Sequence, residues 1–182
     1  NVRIVKDTSV FAYMHHNYLL ACQKINNENI RQIIWKIRAK KVILATGSIE
    51  RPLTFNNNDR PGIMLSNSAN YYANQNIGKN IIFFTNNDYT YHTAINLTNK
   101  DSSNNIIIID LRNNSEGDLI KKAKFLGIKI LFNHIITNTS GRKKISSVFV
   151  HKIDGQTNKI INSYGKIPCD LLYISGGWTP TV

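Results

Sequence analysis

The stretch at residues 41–52, KVILATGSIERP, limits what this chain can fold into more than any other. Residues 42–45 form a short apolar run without helical spacing, which predicts a strand buried on both faces, the kind found in parallel sheets. The run halts at Thr46-Gly47. A residue without a Cβ there allows positive φ and close approach of another backbone or a ligand. Arg51-Pro52 keeps the exit extended, because proline disfavours helix in the residue before it. The same pattern returns near the end. Residues 170–174 read as a second buried strand halted by Ser175-Gly176-Gly177, with Trp178 and Pro180 shaping the turn. Two glycine-ended strands, far apart in the chain, predict one cleft with Gly47, Gly176 and Gly177 facing the same ligand.

Between these strands the pattern predicts β-α-β-α-β and then a small meander. Residues 65–75 suit a helix, with Ser66 or Asn67 to cap it, Ala69, Tyr72 and Ala73 on one side, and Gly78 after its end. Residues 80–84 follow as strand, 85–88 as turn, 89–98 as helix and 106–109 as strand ending at Asp110. In a nucleotide-binding βαβ unit that turn is glycine-rich, so that backbone N–H groups reach the pyrophosphate, and an acidic residue about 20 positions on binds the ribose. Asp110 stands about 25 positions after Thr85, an acceptable place. The turn itself, TNNDYTYH, carries side chains where bare backbone is needed. Thr85, Asn86, Asn87, Asp88 and Asp110 are therefore read as a degenerate second nucleotide site, its topology kept and its binding weakened or lost. Asp88 is expected to cap the helix that it opens. In an alternative reading, Asn86, Asn87 and Asp88 hold a different small polar ligand.

Residues 115–126 predict a third helix, acidic early at Glu116 and Asp118, basic late at Lys121, Lys122 and Lys124, and closed by Gly127. Strands are expected at 128–132, 135–139, 145–152 and 159–162, with turns at Ser140-Gly141 and Asp154-Gly155. Upstream, residues 8–13, 17–24 and 32–38 predict an antiparallel meander. The turn-rich loop 55–62 is read as a crossing between domains.

Composition narrows the partners. No apolar run approaches the ~20 residues that a membrane helix needs, and no signal-like start precedes the first strand, so a cytoplasmic protein with no membrane partner is expected. The first residue is Asn inside a strand-like pattern, and a fragment of a longer chain is expected. Cys22 and Cys169 are far apart and form no CxxC, which argues against a disulfide framework, a zinc site and a dithiol redox pair. Adjacent strand residues point to opposite faces, so His15 and His16 read as a polar turn and no metal site is expected. The net charge of +12, from 23 basic against 11 acidic residues, invites a nucleic-acid reading. The basic side chains are scattered, from Arg31, Lys36 and Arg38 to Lys143 and Lys144, without an aromatic platform. A solvated basic surface and no nucleic-acid partner are expected.

Three blocks in order, ATGSIERPLTFNNNDRPGIMLSNSANYY, IIFFTNNDYTYHTAINL and DLLYISGGWTPTV, resemble the alpha subunits of heterotetrameric sarcosine oxidases, within the two-dinucleotide-domain FAD/NAD-dependent oxidoreductases. The resemblance runs from about Thr8 to the last residue. It implies an α/β fold of the FAD/NAD(P)-binding Rossmann-like type, a doubly wound parallel sheet with a β-meander. The implied division is the end of a first dinucleotide-binding domain at 1–56, a complete inserted Rossmann-like domain at 57–168 and a return to the first domain at 169–182. It further implies an enzyme that demethylates sarcosine to glycine with oxygen as acceptor and passes the one-carbon unit to tetrahydrofolate. NAD would lie in the alpha subunit's dinucleotide domains, FMN would be shared with the beta subunit, the FAD would belong mainly to that partner, and the folate domain would lie outside these residues. The partners would be beta, gamma and delta subunits and a small-molecule substrate. Ala45, Thr46, Gly47, Gly176 and Gly177 match the family's nucleotide-facing backbone; no catalytic acid, base or nucleophile is assigned. Alternatives are the alpha subunit of a related amine, opine or proline dehydrogenase, or a scaffold subunit whose nucleotide is structural.

Overall fold

Runs of β-branched and aromatic residues bounded by Gly, Asn and Asp give this chain thirteen strands among the described residues. The computed structural model describes residues 2–27, 29–72, 78–113 and 116–181. They form two compact units, one up to Thr46 and one of Gly47–Thr181.

The first unit is the expected meander: β1 (Thr8–Met14), β2 (Tyr18–Lys24) and β3 (Gln32–Arg38) pair antiparallel in the order β1-β2-β3. His15 and His16 turn the chain between β1 and β2, His16 in the left-handed region at φ 61°. No group of three or more metal-binding side chains forms among the described residues. The strand expected at 42–45 is absent. Residues 41–47 take no regular structure, and Ile43 is 90% exposed. An apolar run becomes a strand only where a partner edge takes up its N–H and C=O groups, and no described strand pairs with it.

The second unit runs β4 (Ser48–Glu50), β5 (Ile63–Leu65), α1 (Ala69–Tyr72), β6 (Asn80–Thr85), α2 (Tyr89–Lys100), β7 (Asn105–Asp110), α3 (Asp118–Phe125), β8 (Lys129–Phe132), β9 (His134–Ser140), β10 (Ser147–Ile153), β11 (Ile160–Pro168), β12 (Leu171–Ser175) and β13 (Trp178–Pro180). Its main sheet is parallel throughout, in the order β5-β12-β6-β7-β8. Alternation along each strand divides the core in two. Ile81, Phe83, Ile106, Ile108, Leu171 and Tyr173 face the helices, where they meet Tyr91, Ala94 and Ile120. Ile82, Phe84, Ile109, Leu172 and Ile174 face the opposite way and pack against Ile136, Val148 and Val150 of the antiparallel sheet β11-β10-β9. A strand buried on both faces must be apolar at every position, which accounts for the unbroken runs in β6, β7 and β12.

The strand expected to return to the first domain is β12, and it lies inside this parallel sheet, between β5 and β6. The expected boundaries near 56 and 168 both fall within the second unit. Loop 55–62, read as a crossing, is tied to β9. Asn57 Nδ2 donates to Asn138 Oδ1 at 2.8 Å, Thr139 Oγ1 donates to Asn57 O at 2.9 Å, and Arg60 donates to Thr139 Oγ1 and to the Gly141 carbonyl. The helix expected at 65–75 starts later than expected. Leu65 ends β5, a 3-10 turn follows at Ser66–Ser68, α1 runs Ala69–Tyr72, and residues 73–77 lie outside the described residues. The third helix begins at Asp118, and Ser115 is likewise outside the described residues. Gly127 closes it at φ 75°, its N–H donating to Lys124 O.

Phe83, fully buried and stacked on Tyr173 with ring centroids 5.2 Å apart, carries much of the helix-side packing. Phe83→Ala is expected to cost about 3–5 kcal/mol, read as a lower urea midpoint at unchanged slope. Phe125→Ala, at a ring 90% exposed, should move the same midpoint by no more than about 0.5 kcal/mol.

Candidate functional site

Where β12 ends, the chain doubles back along the segment by which it entered the unit. β13 pairs antiparallel with β4, matching Trp178 to Glu50, Thr179 to Ile49 and Pro180 to Ser48. The ribbon is closed at both ends by backbone bonds. Arg51 N–H donates to Gly177 O at 2.8 Å and Gly176 N–H to Arg51 O at 2.7 Å, while Thr181 donates through both N–H and Oγ1 to Gly47 O at 3.1 Å. Gly47, Gly176 and Gly177 are thereby brought together on one ribbon. Ala45 and Thr46 fall in the first unit, exposed and outside any strand.

Each glycine has a local reason. Gly47 at φ 84° and Gly177 at φ 101° occupy the left-handed region that side chains disfavour. At Gly176 a Cβ would come within 3.0 Å of Pro52 O and 3.2 Å of Arg51 O, so the ribbon requires a bare backbone there. No Cβ contact lies within 4 Å of Gly47. Gly176 is thus packed against the chain's own backbone, while the space beside Gly47 is open.

The β6–α2 turn is built in the opposite way. Thr85, Asn86, Asn87 and Asp88 do stand at the carboxyl end of β6, the place where ligands sit in open α/β sheets, but their polar groups are engaged with one another. The Asn87 N–H donates to Thr85 Oγ1 at 3.1 Å, and Asn87 Nδ2 donates to Ser175 Oγ at 3.0 Å. The acceptor for the helix is Asn87, whose Oδ1 takes the Tyr89 N–H at 3.1 Å; Asp88, expected in that role, makes no such bond. Asp88 instead meets Arg112 at 2.8 Å.

Arg112 was not singled out in the sequence, yet it organises the turn. Its NH2 group lies 2.8 Å from Asp110 Oδ2, its Nε 3.1 Å from Asp110 Oδ1, and its backbone N–H donates to the same Oδ1 at 2.9 Å. Tyr91 donates its hydroxyl to Asp110 Oδ2 at 2.7 Å. Both oxygens of the fully buried Asp110, the residue expected to hold a ribose, are therefore occupied from within the chain. The electrostatics follow. The Arg112 guanidinium is held charged above its ordinary range, chiefly by its hydrogen bond to Asp110. Burial first, and then the Asp110 charge, pushes the Tyr91 hydroxyl well above the usual tyrosine range, and burial pushes Tyr173 up to about 12. Cys169 is buried, its thiol pushed up to about 12 by burial and then by Asp170, so it is a packing residue rather than a nucleophile.

Comparison with known proteins gives two kinds of relative. In sequence, the chain is 35% identical over 96% of its length to sarcosine oxidase subunit alpha of Corynebacterium sp. (strain U-96), of which it covers 19%. It is 30% identical over its whole length to the subunit of the same name from Rhizobium meliloti (strain 1021), of which it covers 18%. The chain thus spans less than a fifth of the length of the curated relatives it matches. In structure, thioredoxin reductase of T. acidophilum superposes with TM-score 0.66 at 18% identity, over 96% of this chain and 53% of that one. The Lactococcus lactis thioredoxin reductase gives 0.63 at 20% identity, over 93% and 52%. The fold is of the FAD/NAD(P)-binding Rossmann-like type that the resemblance implied. No family model matches the chain.

Removing Arg112 tests how far Asp110 depends on it. Arg112→Ala leaves a buried carboxylate short of its main partner and is expected to cost about 3–5 kcal/mol. Asp88→Ala, at a side chain 61% exposed, should cost no more than about 1 kcal/mol by the same chemical denaturation. Alkaline titration gives an independent measurement. Tyr91 and Tyr173 keep their protons in the folded chain past the range where an unfolded tyrosine loses its own, near 10. Their stabilisation is thus complete below about pH 10 and lost as pH rises beyond it. Absorbance should show these two ionising only as the chain unfolds.

Proposed function

We propose, from the premise that this chain is related along nearly its whole length to sarcosine oxidase alpha subunits, that it is the nucleotide-facing stretch of such a subunit. The enzyme it serves oxidatively demethylates sarcosine to glycine, with oxygen as acceptor and peroxide as product, and hands the one-carbon unit to tetrahydrofolate. Its partners are beta, gamma and delta subunits. NAD is held by the alpha subunit, FMN is shared with the beta subunit, the FAD rests mainly with that partner, and folate binds outside these residues. The flavins supply the two-electron acceptor that amine oxidation needs. This chain supplies no acid, base or nucleophile for that step; its part is to hold and orient a dinucleotide with bare backbone at Gly47, Gly176 and Gly177.

The observation that carries this reading is the ribbon. Segments more than a hundred residues apart are hydrogen-bonded through Gly47, Arg51, Gly176, Gly177 and Thr181, and the glycines fit a ligand approached by backbone. We further propose that the ribbon carries the two crossings between the inserted domain and the domain it interrupts. The β6–α2 turn supports a second, bracing role for the inserted domain. Its Asp110, Arg112 and Asp88 are satisfied by one another and its Asn87 by Ser175, so it positions neighbours without holding a second dinucleotide.

The assembled complex containing this chain is expected to release NAD, besides its flavins, on denaturation, and to form peroxide from sarcosine. Gly176→Val, which sets a branched side chain against the Arg51 and Pro52 carbonyls, should lower retained NAD about tenfold, equivalent to about 1.4 kcal/mol. Equal retention in the variant would overturn the role of the ribbon, and a complex inert towards sarcosine would overturn the substrate.

A further inference from the structure

Residues 119–153 carry eight lysines and arginines and no aspartate or glutamate. Four of the eight stand at the end of α3 and the start of β8. Lys121, Lys122 and Lys124 are exposed on the helix, and Lys129 opens the strand. None of them makes an ion pair among the described residues; Asp118 is one turn away from Lys121 and Lys122 and joins neither. Lys124 Nζ lies 5.6 Å from the centre of the Phe132 ring and Lys129 Nζ 5.7 Å from that of Tyr164. Two of the charges are thus held in place by aromatic neighbours.

Phe125 stands among them. It follows Lys121 by four positions and Lys122 by three, which sets the three side chains on one helix face. Its ring is 90% exposed, whereas Ile120 and Ala123 of the same helix are buried. The helix dipole accounts for lysines in the last turn; it gives no reason for a bare aromatic ring beside them.

Positive charge without an internal counter-ion selects an anionic partner. The residue types narrow it further. Lysine is depleted from the cores of protein interfaces, while lysine beside phenylalanine is what anionic bilayers take up from helices that lie on them. A lysine stem can run along the acyl boundary while its ammonium stays among the headgroups. No helix among the described residues is long and apolar enough to cross a membrane, which bears on crossing and leaves contact with the surface open.

We propose that the end of α3 docks on an anionic phospholipid surface, Phe125 entering the acyl boundary and Lys121, Lys122, Lys124 and Lys129 meeting the acidic headgroups. The face uses neither the glycines of the ribbon nor any redox step, so it stands apart from the function proposed above.

Co-sedimentation of the full chain with vesicles of phosphatidylcholine and phosphatidylglycerol in equal parts tests it, against vesicles of phosphatidylcholine alone. Binding to the anionic vesicles only is expected, and it should fall as salt rises. Phe125→Ala, at an exposed ring whose loss leaves the fold intact, should weaken binding about tenfold. Lys121→Gln combined with Lys122→Gln should weaken it about tenfold or more, since each lysine near such a surface contributes. Arg142→Gln combined with Lys143→Gln, at exposed residues between β9 and β10, makes the same change in net charge and should weaken it no more than about twofold. Insertion is read directly with Phe125→Trp, whose added emission should be quenched by lipids brominated in their acyl chains. Equal binding to neutral vesicles, unchanged affinity in Phe125→Ala, equal loss in the two charge variants, or absence of quenching each overturns the proposal. Binding to soluble poly-glutamate that is as tight and as dependent on Phe125 overturns it in favour of an acidic protein partner.

Discussion

The insertion of β12 between β5 and β6 is the constraint on which the second unit depends. Without it β5 has no partner, and the sheet begins at β6. Leu171–Ser175 follows three described helices and the β9–β11 meander along the chain, so the sheet is closed by its last strand in sequence. Such closure orders a long loop before its contacts repay the entropy, and the return comes from burial on both faces at once. Leu171 and Tyr173 complete the helix-side core, while Leu172 and Ile174 complete the other. The ribbon is a consequence. Once Ser175 is fixed beside Thr85, the exit at Gly176 and Gly177 is aimed at Arg51, and β13 has only β4 to pair with.

The βα turn after β6 shows how one architecture can keep the position of a ligand site while its polar groups turn inward. The strand order puts Thr85, Asp110 and Ser175 at neighbouring carboxyl ends. Glycines there would leave amide groups bare for a phosphate. Asn87 and Asp88 put polar side chains in the same space, and these find partners within the chain, in Ser175 and Arg112. Asp110 is the clearest case. It sits where a ribose would be read, yet Arg112 and Tyr91 hold both of its oxygens in a fully buried setting.

Much of this was legible in the chain itself, and the limits have physical causes. The runs IIFF, IIII and LLYI could be assigned as doubly buried strands because nothing polar interrupts them, and Gly127 marked a helix end because only a left-handed residue fits there. The run VILA carried the same signal and forms no strand here, since burial needs a neighbouring edge that periodicity cannot show. β5 was hidden by its length of three residues, too short to display alternation. Arg112 gave no sign, because its meaning depends on Asp88 and Asp110 converging on it in space. Glu50 was equally silent: a lone acid in a three-residue strand reads as solvated until its pairing with β13 is known.

The two ends of the sheet's ligand edge therefore differ in what they can hold. At the ribbon, the Gly47 carbonyl, the Gly176 N–H and the Gly177 carbonyl are taken up by Thr181 and Arg51, and the nearby polar side chain, Glu50, keeps one oxygen unsatisfied. At the β6–α2 turn the charges of Asp88, Arg112 and Asp110 are satisfied internally. Affinity for a polar ligand comes from groups whose hydrogen-bonding capacity folding has not already consumed. By that measure the turn that most resembles a nucleotide site in topology is a part that folding has already satisfied.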